Sequence, residues 1–277
     1  RSLDLGLEVE IVEISNISGL PKPKEKQMIV WPIYCDEKVK KGVGDHRHSN
    51  YVLRCLNTAL SFTKKGKTDA LITGPVNKGL INKAGISFSG HTEYIAESLN
   101  VKRPVMLLAS PSLKVALVTT HVPLSNVPGL ITVEDLIDVG KIVNDDFIKK
   151  FNIQSPKIYV CGLNPHAGDN GYLGENEKTI ISPAIQILKE KKINVKGPLA
   201  ADTAFSVENR EKCDVIIAMY HDQGLAPLKA ISFGDAVNIT LGLPIIRVSV
   251  DHGTAFDKAG KGTANSSSLR HAIRTAI

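Results

Sequence analysis

Three histidines follow short apolar segments at the points where the chain turns polar. The segments are residues 114–119, 157–161 and 214–219, and the histidines are His121, His166 and His221. Such segments are typical of buried strands, and open α/β sheets bind ligands at the carboxyl ends of their strands. Three imidazoles can hold a divalent cation and leave coordination positions for a substrate. The spacing predicts a metal site, and the alternative is three unrelated core histidines.

Carboxylates and a lysine accompany these histidines. Residues 220–224, after the third apolar segment, are nearly all polar or flexible, and Lys229 follows them. Asp202, in a predicted loop over residues 197–203, and Asp222 are candidates for a further ligand or for fixing an imidazole tautomer. The alternative for His221 is a strand-end histidine that caps a neighbouring carbonyl.

A second polar cluster stands before a predicted helix over residues 94–99. His91 and Thr92 precede it, and we expect the Thr92 hydroxyl to cap it. Free N–H groups at a helix start, together with a hydroxyl and an imidazole, form an anion pocket. A plain N-cap without a ligand is the alternative.

Alternating strands and helices must position these side chains. The predicted strands cover residues 9–14, 28–33, 70–73, 105–109, 114–119, 157–161, 214–219, 238–241 and 245–250, and the predicted helices cover 50–62, 133–151, 175–192 and 268–277. This succession is typical of the α/β class.

Composition excludes several classes of protein. The chain has 277 residues and a net charge of +6 with scattered cations, and only 5% of its residues are aromatic, so a nucleic-acid partner is not expected. No apolar run reaches the roughly 20 residues that span a bilayer. The four cysteines lack CxxC spacing, which favours free thiols in a reducing compartment. We expect a cytoplasmic protein without a membrane partner that binds an anionic small molecule.

Several long motifs carry a family resemblance. The runs ALITGPVNKGLINKAGISFSGHTEYIA, VALVTTHVPLSNVP, CGLNPHAGDNGYLGENE, GPLAADTAF, MYHDQGLAPLK and VNITLGLPIIRVSVDHGTAFDKAGKGTAN occur in order from about Asp69 to the end. Together they resemble the 4-hydroxythreonine-4-phosphate dehydrogenases of vitamin B6 synthesis. The family begins with a strand and a glycine-rich loop that this sequence lacks before Arg1, so we expect residues upstream.

The resemblance implies roles for individual residues. It implies a divalent zinc, magnesium or cobalt ion on His121, His166 and His221, with Asp202 nearby. It implies substrate contacts at His91, Thr92, Lys229, Asn238 and Arg247. The last run also resembles the HGSAPDIAGKGIAN-type loop of isopropylmalate and isocitrate dehydrogenases, which implies NAD or NADP contacts at His252, Gly253, Thr254, Ala255 and Asn265. A structural histidine is the alternative for His252.

The resemblance also implies an architecture and a reaction. The expected fold is a two-domain α/β/α sandwich like that of isocitrate and isopropylmalate dehydrogenases, with a cleft between residues 1–98 plus 239–277 and residues 99–238. The expected enzyme is a homodimer that shares each metal site and oxidises 4-phosphohydroxy-L-threonine to 2-amino-3-oxo-4-phosphooxybutanoate, which decarboxylates to 3-amino-2-oxopropyl phosphate. The rivals are a dehydrogenase of D-threonate or D-erythronate 4-phosphate and a non-redox metal phosphoesterase.

Overall fold

Ten strands and ten α-helices alternate along the described chain. The structure, a computed structural model, describes residue 6 and residues 8–20, 22–232 and 236–277. The strands are β1 (Glu10–Glu13), β2 (Gln27–Val30), β3 (Ala70–Thr73), β4 (Val105–Ala109), β5 (Lys114–Leu117), β6 (Ile158–Cys161), β7 (Val195–Leu199), β8 (Val215–Ala218), β9 (Val237–Leu241) and β10 (Ile246–Val250). The helices are α1 (Ser49–Lys64), α2 (Lys78–Lys83), α3 (His91–Ser98), α4 (Val127–Leu130), α5 (Val133–Phe151), α6 (Ser182–Glu190), α7 (Ala201–Ala204), α8 (Val207–Lys212), α9 (His221–Ile231) and α10 (Ser267–Ala276). The predicted α/β class is confirmed.

Eight of these strands form one mixed sheet. Their order is β3-β10-β9-β4-β5-β8-β6-β7, and β1 and β2 form a separate parallel pair. Three neighbouring pairs are antiparallel, namely β10–β9, β9–β4 and β4–β5. The pairs β5–β8, β8–β6 and β6–β7 are parallel. The parallel half therefore places four carboxyl strand ends side by side, and the three predicted metal ligands follow those of β5, β8 and β6.

Apolar side chains pack on both faces of this sheet because successive residues of a strand point to opposite sides. Leu107 of β4 belongs to a core that includes α5, α6 and α10, whereas Leu108 belongs to a core that includes α9. A third core joins α1, α2 and α3 to β3. The layered α/β/α arrangement is confirmed. The division into two domains stays a prediction, and its ranges include residues 1–5, 7, 21 and 233–235, which lie outside the described residues.

The helix α5 illustrates why long periodic segments are well predicted. Its bounds match the prediction, and Thr132 accepts a hydrogen bond from the Asp135 backbone N–H at its start. At its end Asn152 takes a left-handed conformation with φ of 57°. The apolar stripe of α5 places Val143 and Phe147 in the core without solvent exposure.

The prediction of a loop around Asp202 is wrong. Residues 195–199 form the strand β7, and Asp202 lies in α7 rather than in a loop over residues 197–203. β7 has β6 as its only described neighbour, and an edge strand tolerates the glycine and proline that suggested a loop. The polar segment after β8 is also helical, since α9 begins at His221. Within the described ranges, no helix is both long and apolar enough to cross a lipid bilayer.

Candidate active site

The structure brings two of the three predicted metal ligands together. His121 follows β5 and His221 follows β8, which is the parallel neighbour of β5. Their ring centroids lie 5.3 Å apart with an angle of 45° between the ring planes. Nδ1 of His221 lies 2.7 Å from the Asp222 carboxylate, which can only accept, so this contact places a proton on Nδ1 and makes Nε2 the nitrogen that could bind a metal in the neutral ring.

Side-chain bonds under these rings hold the two segments together. The buried Thr119 donates its hydroxyl hydrogen to the Met219 carbonyl at 2.8 Å. Gln223, also buried, accepts from the Met219 N–H at 2.7 Å and donates to the Gly162 carbonyl at 2.8 Å. The ends of β5, β8 and β6 are therefore fixed to one another below the candidate site.

His166 stands apart from this pair. Its side chain is 70% exposed and its nearest described carboxylate is Asp202, at 3.9 Å from Nδ1. In the described part of the chain, no three His, Cys, Asp or Glu side chains are grouped as metal ligands. Two imidazoles with an available Nε2 on His221 suit a borderline divalent ion as part of its coordination shell. One chain alone does not assemble the predicted three-histidine set.

Arg247 is a buried cation for which the described residues provide no carboxylate partner. It is 2% exposed, and no described carboxylate lies within ion-pair distance of it. Its guanidinium donates to the hydroxyls of Thr240 at 3.0 Å and Thr73 at 2.9 Å, and its Nε has no partner among the described residues. Burial lowers the pKa of Arg247 from 12.5 to about 10, against a small opposing effect of Glu93. A buried charge in this condition suits an anionic ligand.

His91 lies close enough to Arg247 to respond to its charge. Burial, with a smaller contribution from Arg247, lowers the pKa of His91 from 6.5 to about 4, so the imidazole is neutral at pH 7. The prediction that Thr92 caps the following helix is wrong, because α3 begins at His91 and its N-cap is Gly90. Gly90 has no side chain to occupy the first-turn N–H groups. Among the described residues no side chain caps this helix start, although the Glu93 carboxylate lies beside it, 2.6 Å from where a Cβ on Gly90 would stand. The first-turn N–H groups, the Thr92 hydroxyl and the neutral imidazole are therefore candidate donors to a ligand.

Lys229 and most of the predicted cofactor residues share one cavity. It has a volume of about 620 Å³ and its lining includes Lys229, Asp251, His252, Gly253, Ala255 and Asn265. Lys229 forms an ion pair with Asp251 at 3.2 Å, and Asp251 begins the loop after β10. The predicted substrate cation therefore borders the predicted dinucleotide loop.

Two predicted contacts have different surroundings. Thr254 lines a second cavity, of about 390 Å³, together with Phe256 and Leu80. Asn238 lies on β9 opposite Ser249 of β10, and its buried Oδ1 has no partner in the described structure. Thr254 thus faces a different cavity from its neighbours His252, Gly253 and Ala255.

Three residues that hold the candidate binding side chains in place were not predicted from the sequence. Asp251 pairs with Lys229, and Thr73 and Thr240 orient Arg247. Asp251 could have been found from the sequence, since it lies inside the last quoted run, immediately before His252. The two threonines carry no signal, because a threonine in a strand is ordinary and their common partner is distant in sequence.

Comparison with known proteins gives a consistent family assignment. A profile of the family described as pyridoxal phosphate biosynthetic protein PdxA matches residues 2–276. A 4-hydroxythreonine-4-phosphate dehydrogenase of Pseudoalteromonas translucida is 48% identical over 277 residues, which cover all of this chain and 84% of that protein.

Solved structures agree with the sequence comparison. A 4-hydroxythreonine-4-phosphate dehydrogenase of Burkholderia phymatum superposes with a TM-score of 0.88 at 35% identity, covering 99% of this chain and 83% of that one. A terephthalate 1,2-cis-dihydrodiol dehydrogenase of Burkholderia xenovorans is more distant, with a TM-score of 0.69 and 26% identity over 90% of this chain and 79% of that one.

Proposed function

The chain belongs to the PdxA family of pyridoxal phosphate biosynthetic proteins, and from that premise we propose that it is an NAD- or NADP-dependent oxidoreductase of 4-phosphohydroxy-L-threonine. The product would be 2-amino-3-oxo-4-phosphooxybutanoate, which decarboxylates to 3-amino-2-oxopropyl phosphate in the synthesis of pyridoxal 5'-phosphate. The buried guanidinium of Arg247, which lacks a carboxylate partner among the described residues, is the observation that carries this proposal.

An anionic substrate would supply the negatively charged hydrogen-bond acceptor that Arg247 lacks among the described residues. A phosphate or carboxylate oxygen would accept from the guanidinium, from the N–H groups at the start of α3 and from the hydroxyl of Thr92. The neutral His91 can donate to the same anion without adding a second buried charge. Asn238 supplies a carbonyl oxygen that suits the amino group of the substrate.

The cavity beside Lys229 is the proposed binding site of the nicotinamide cofactor. Its volume of about 620 Å³ suits a cofactor fragment, and it joins Lys229 to His252, Gly253, Ala255 and Asn265. A nicotinamide dinucleotide held there would supply the hydride acceptor, whose chemistry belongs to the cofactor. The ion pair with Asp251 fixes Lys229 at the cavity wall and limits the charge that Lys229 presents before the anion arrives.

The histidines suit a divalent metal if two chains contribute. His121 and His221 of one chain would provide two imidazoles, and His166 of a second copy would provide the third. A zinc, magnesium or cobalt ion bound there would polarise the substrate hydroxyl and stabilise the negative charge that builds up during oxidation. Asp222 would keep Nε2 of His221 unprotonated, and Asp202 lies next to His166 to orient its ring.

Exposed apolar residues support a second copy at this edge of the sheet. Leu124, shortly after His121, is 68% exposed, and Tyr172, shortly after His166, is 87% exposed. Apolar side chains around a polar cleft are typical of surfaces that another chain covers. We therefore include a homodimer with shared sites in the proposed function.

A substrate panel tests the proposed reaction. The purified protein, supplied with NAD or NADP and with cobalt or zinc, is expected to produce reduced cofactor with 4-phosphohydroxy-L-threonine at a higher kcat/KM than with D-threonate or D-erythronate 4-phosphate. The dihydrodiol dehydrogenase among the similar structures favours including other hydroxylated substrates. A higher kcat/KM on a threonate or erythronate phosphate would replace the proposed substrate, and phosphate release without cofactor reduction would refute a dehydrogenase.

A further inference from the structure

His166 lies on a left-handed turn. The φ angles of His166, Ala167, Asp169 and Asn170 are 50°, 54°, 40° and 56°, and Gly168 between them has 82°. Residues other than glycine adopt this region singly and at a cost, because Cβ approaches the following carbonyl oxygen. Four such residues in one turn persist only if the surroundings hold them there.

A buried carboxylate lies inside this turn. Glu177 is 4% exposed, and none of the described cations forms an ion pair with it. Its Oε1 accepts from the backbone N–H groups of Leu163 at 2.8 Å and Asn164 at 2.7 Å, and its Oε2 accepts from Nδ2 of Asn164 at 3.0 Å. Burial raises the pKa of Glu177, but the bonds from Asn164 and Leu163 outweigh it and leave the pKa below its ordinary value. The carboxylate is therefore charged and fixed.

The turn is packed directly against this carboxylate. A Cβ added at Gly168 would lie 2.6 Å from Oε2 of Glu177, and one added at Gly162 would lie 3.0 Å from Oε1. The Gly162 carbonyl also accepts from Gln223, at the start of α9. The base of the His166 loop is thus attached to the strand ends, and Glu177 holds the part that carries the imidazole.

We propose that Glu177 is a positioning residue that holds the His166 turn in the conformation needed to present the imidazole to the metal. This inference rests on the proposed function, since it takes His166 as a ligand. The three described hydrogen bonds to this carboxylate from other residues all come from donors in residues 163–164, two to three positions before His166. A glutamine would keep the shape but place an NH2 group where Oε2 accepts from Asn164, so Asn164 would have to turn its amide over and give up its bond to Asn176.

Four variants separate positioning from general stability. Glu177→Gln removes the charge, and Glu175→Gln removes an exposed charge two residues away as the matched control. Asn164→Asp combined with Glu177→Gln exchanges the two groups, so that the new carboxylate accepts from the new amide. His166→Ala removes the imidazole itself. Each protein is measured at a temperature where thermal unfolding shows it to be fully folded.

Two readouts apply to each variant. Cobalt affinity is measured by calorimetry, and exchange of the Leu163 and Asn164 amide hydrogens is measured by NMR or mass spectrometry. We expect Glu177→Gln to weaken cobalt binding by about 10- to 100-fold and to speed amide exchange at least about tenfold. The control should match the parent protein, and the exchanged pair should recover most of the affinity.

The outcomes distinguish this inference from the proposed function. If His166→Ala weakens cobalt binding but Glu177→Gln does not, the positioning role is wrong and the metal site stands. If His166→Ala leaves cobalt binding unchanged, the proposed metal site fails and the positioning role fails with it. Loss of affinity in Glu177→Gln without faster exchange, or in the control to the same extent, also overturns the inference.

Discussion

Arg247 should be replaceable by apolar residues with little cost to the fold and a large cost to binding. The guanidinium is 2% exposed and contacts two threonine hydroxyls, so its removal would ordinarily be expected to destabilise the protein. Its lowered pKa indicates that the buried positive charge itself destabilises the folded protein. A fall from 12.5 to about 10 corresponds to roughly 3 kcal/mol by which the folded protein disfavours the charged form.

The magnitude follows from two opposing contributions. Arg247→Met relieves the buried charge, worth about 3 kcal/mol, but leaves the hydroxyls of Thr73 and Thr240 without their donor, at about 1 kcal/mol or more each. The free energy of unfolding should therefore change by only about 1 kcal/mol. Adding Thr73→Val and Thr240→Val removes the unpaired hydroxyls with little change in volume. We expect this triple variant to be about 1 to 3 kcal/mol more stable than the parent protein.

Binding should respond in the other direction. Removal of one buried charged partner of an anion costs about 2 to 5 kcal/mol, so kcat/KM of Arg247→Met should fall by about 30-fold or more. Urea unfolding gives the stabilities, and the rise of Tm with added phosphate gives an independent measure of anion binding. A triple variant less stable than the parent would show that Arg247 stabilises the fold, and an unchanged KM and phosphate response would remove it from the anion site.

Three further predictions use the same site. Lys229→Ala should lower kcat/KM by about 30-fold or more through loss of a charge-assisted contact, and a variant within threefold of the parent would exclude it. His91 is neutral in the folded protein down to about pH 4 but takes up a proton near pH 6.5 when unfolded. The free energy of unfolding should therefore fall by up to about 3 kcal/mol as the pH drops from 6.5 to 4. In His91→Gln, the free energy of unfolding measured with urea should depend less on pH in this range. Inactive His166→Ala and His221→Ala proteins, mixed under proven subunit exchange, should recover up to about a quarter of the parent activity, whereas no recovery would contradict a shared site.

The most predictable parts of the fold are those whose sequence pattern needs no distant partner. β3, β5, β6 and β8 are continuous apolar runs, and α5 has a capping threonine, an apolar stripe and a terminal asparagine. The helix α9 is harder to predict, because Gly224 and Pro227 have low helix propensity. In the folded protein a Cβ at Gly224 would lie 2.6 Å from Val115, so close packing on β5 requires the glycine that obscured the helix.

The sequence predicts which residues belong to the candidate site but not how they are arranged in space. Histidines at three strand ends were visible in the sequence, and two of them do meet. His166 lies instead on a left-handed turn that packs against Glu177, a contact that joins residues with no common sequence pattern. A glutamate ahead of a helix is commonplace, so nothing in the pattern distinguished this buried one from its exposed neighbour Glu175.

The position of β3 in the sheet has a consequence for synthesis of the chain. Among the described strands β3 pairs with β10 alone, and Thr73 at its end awaits a hydrogen bond from Arg247, 174 residues later. At about 5 to 20 residues per second, a ribosome needs on the order of 10 to 35 seconds to make the intervening segment. During that interval β3 presents an unpaired apolar edge that can recruit the wrong strand. The anion pocket forms only with the last part of the sheet, so nascent chains should depend on chaperones until β10 emerges.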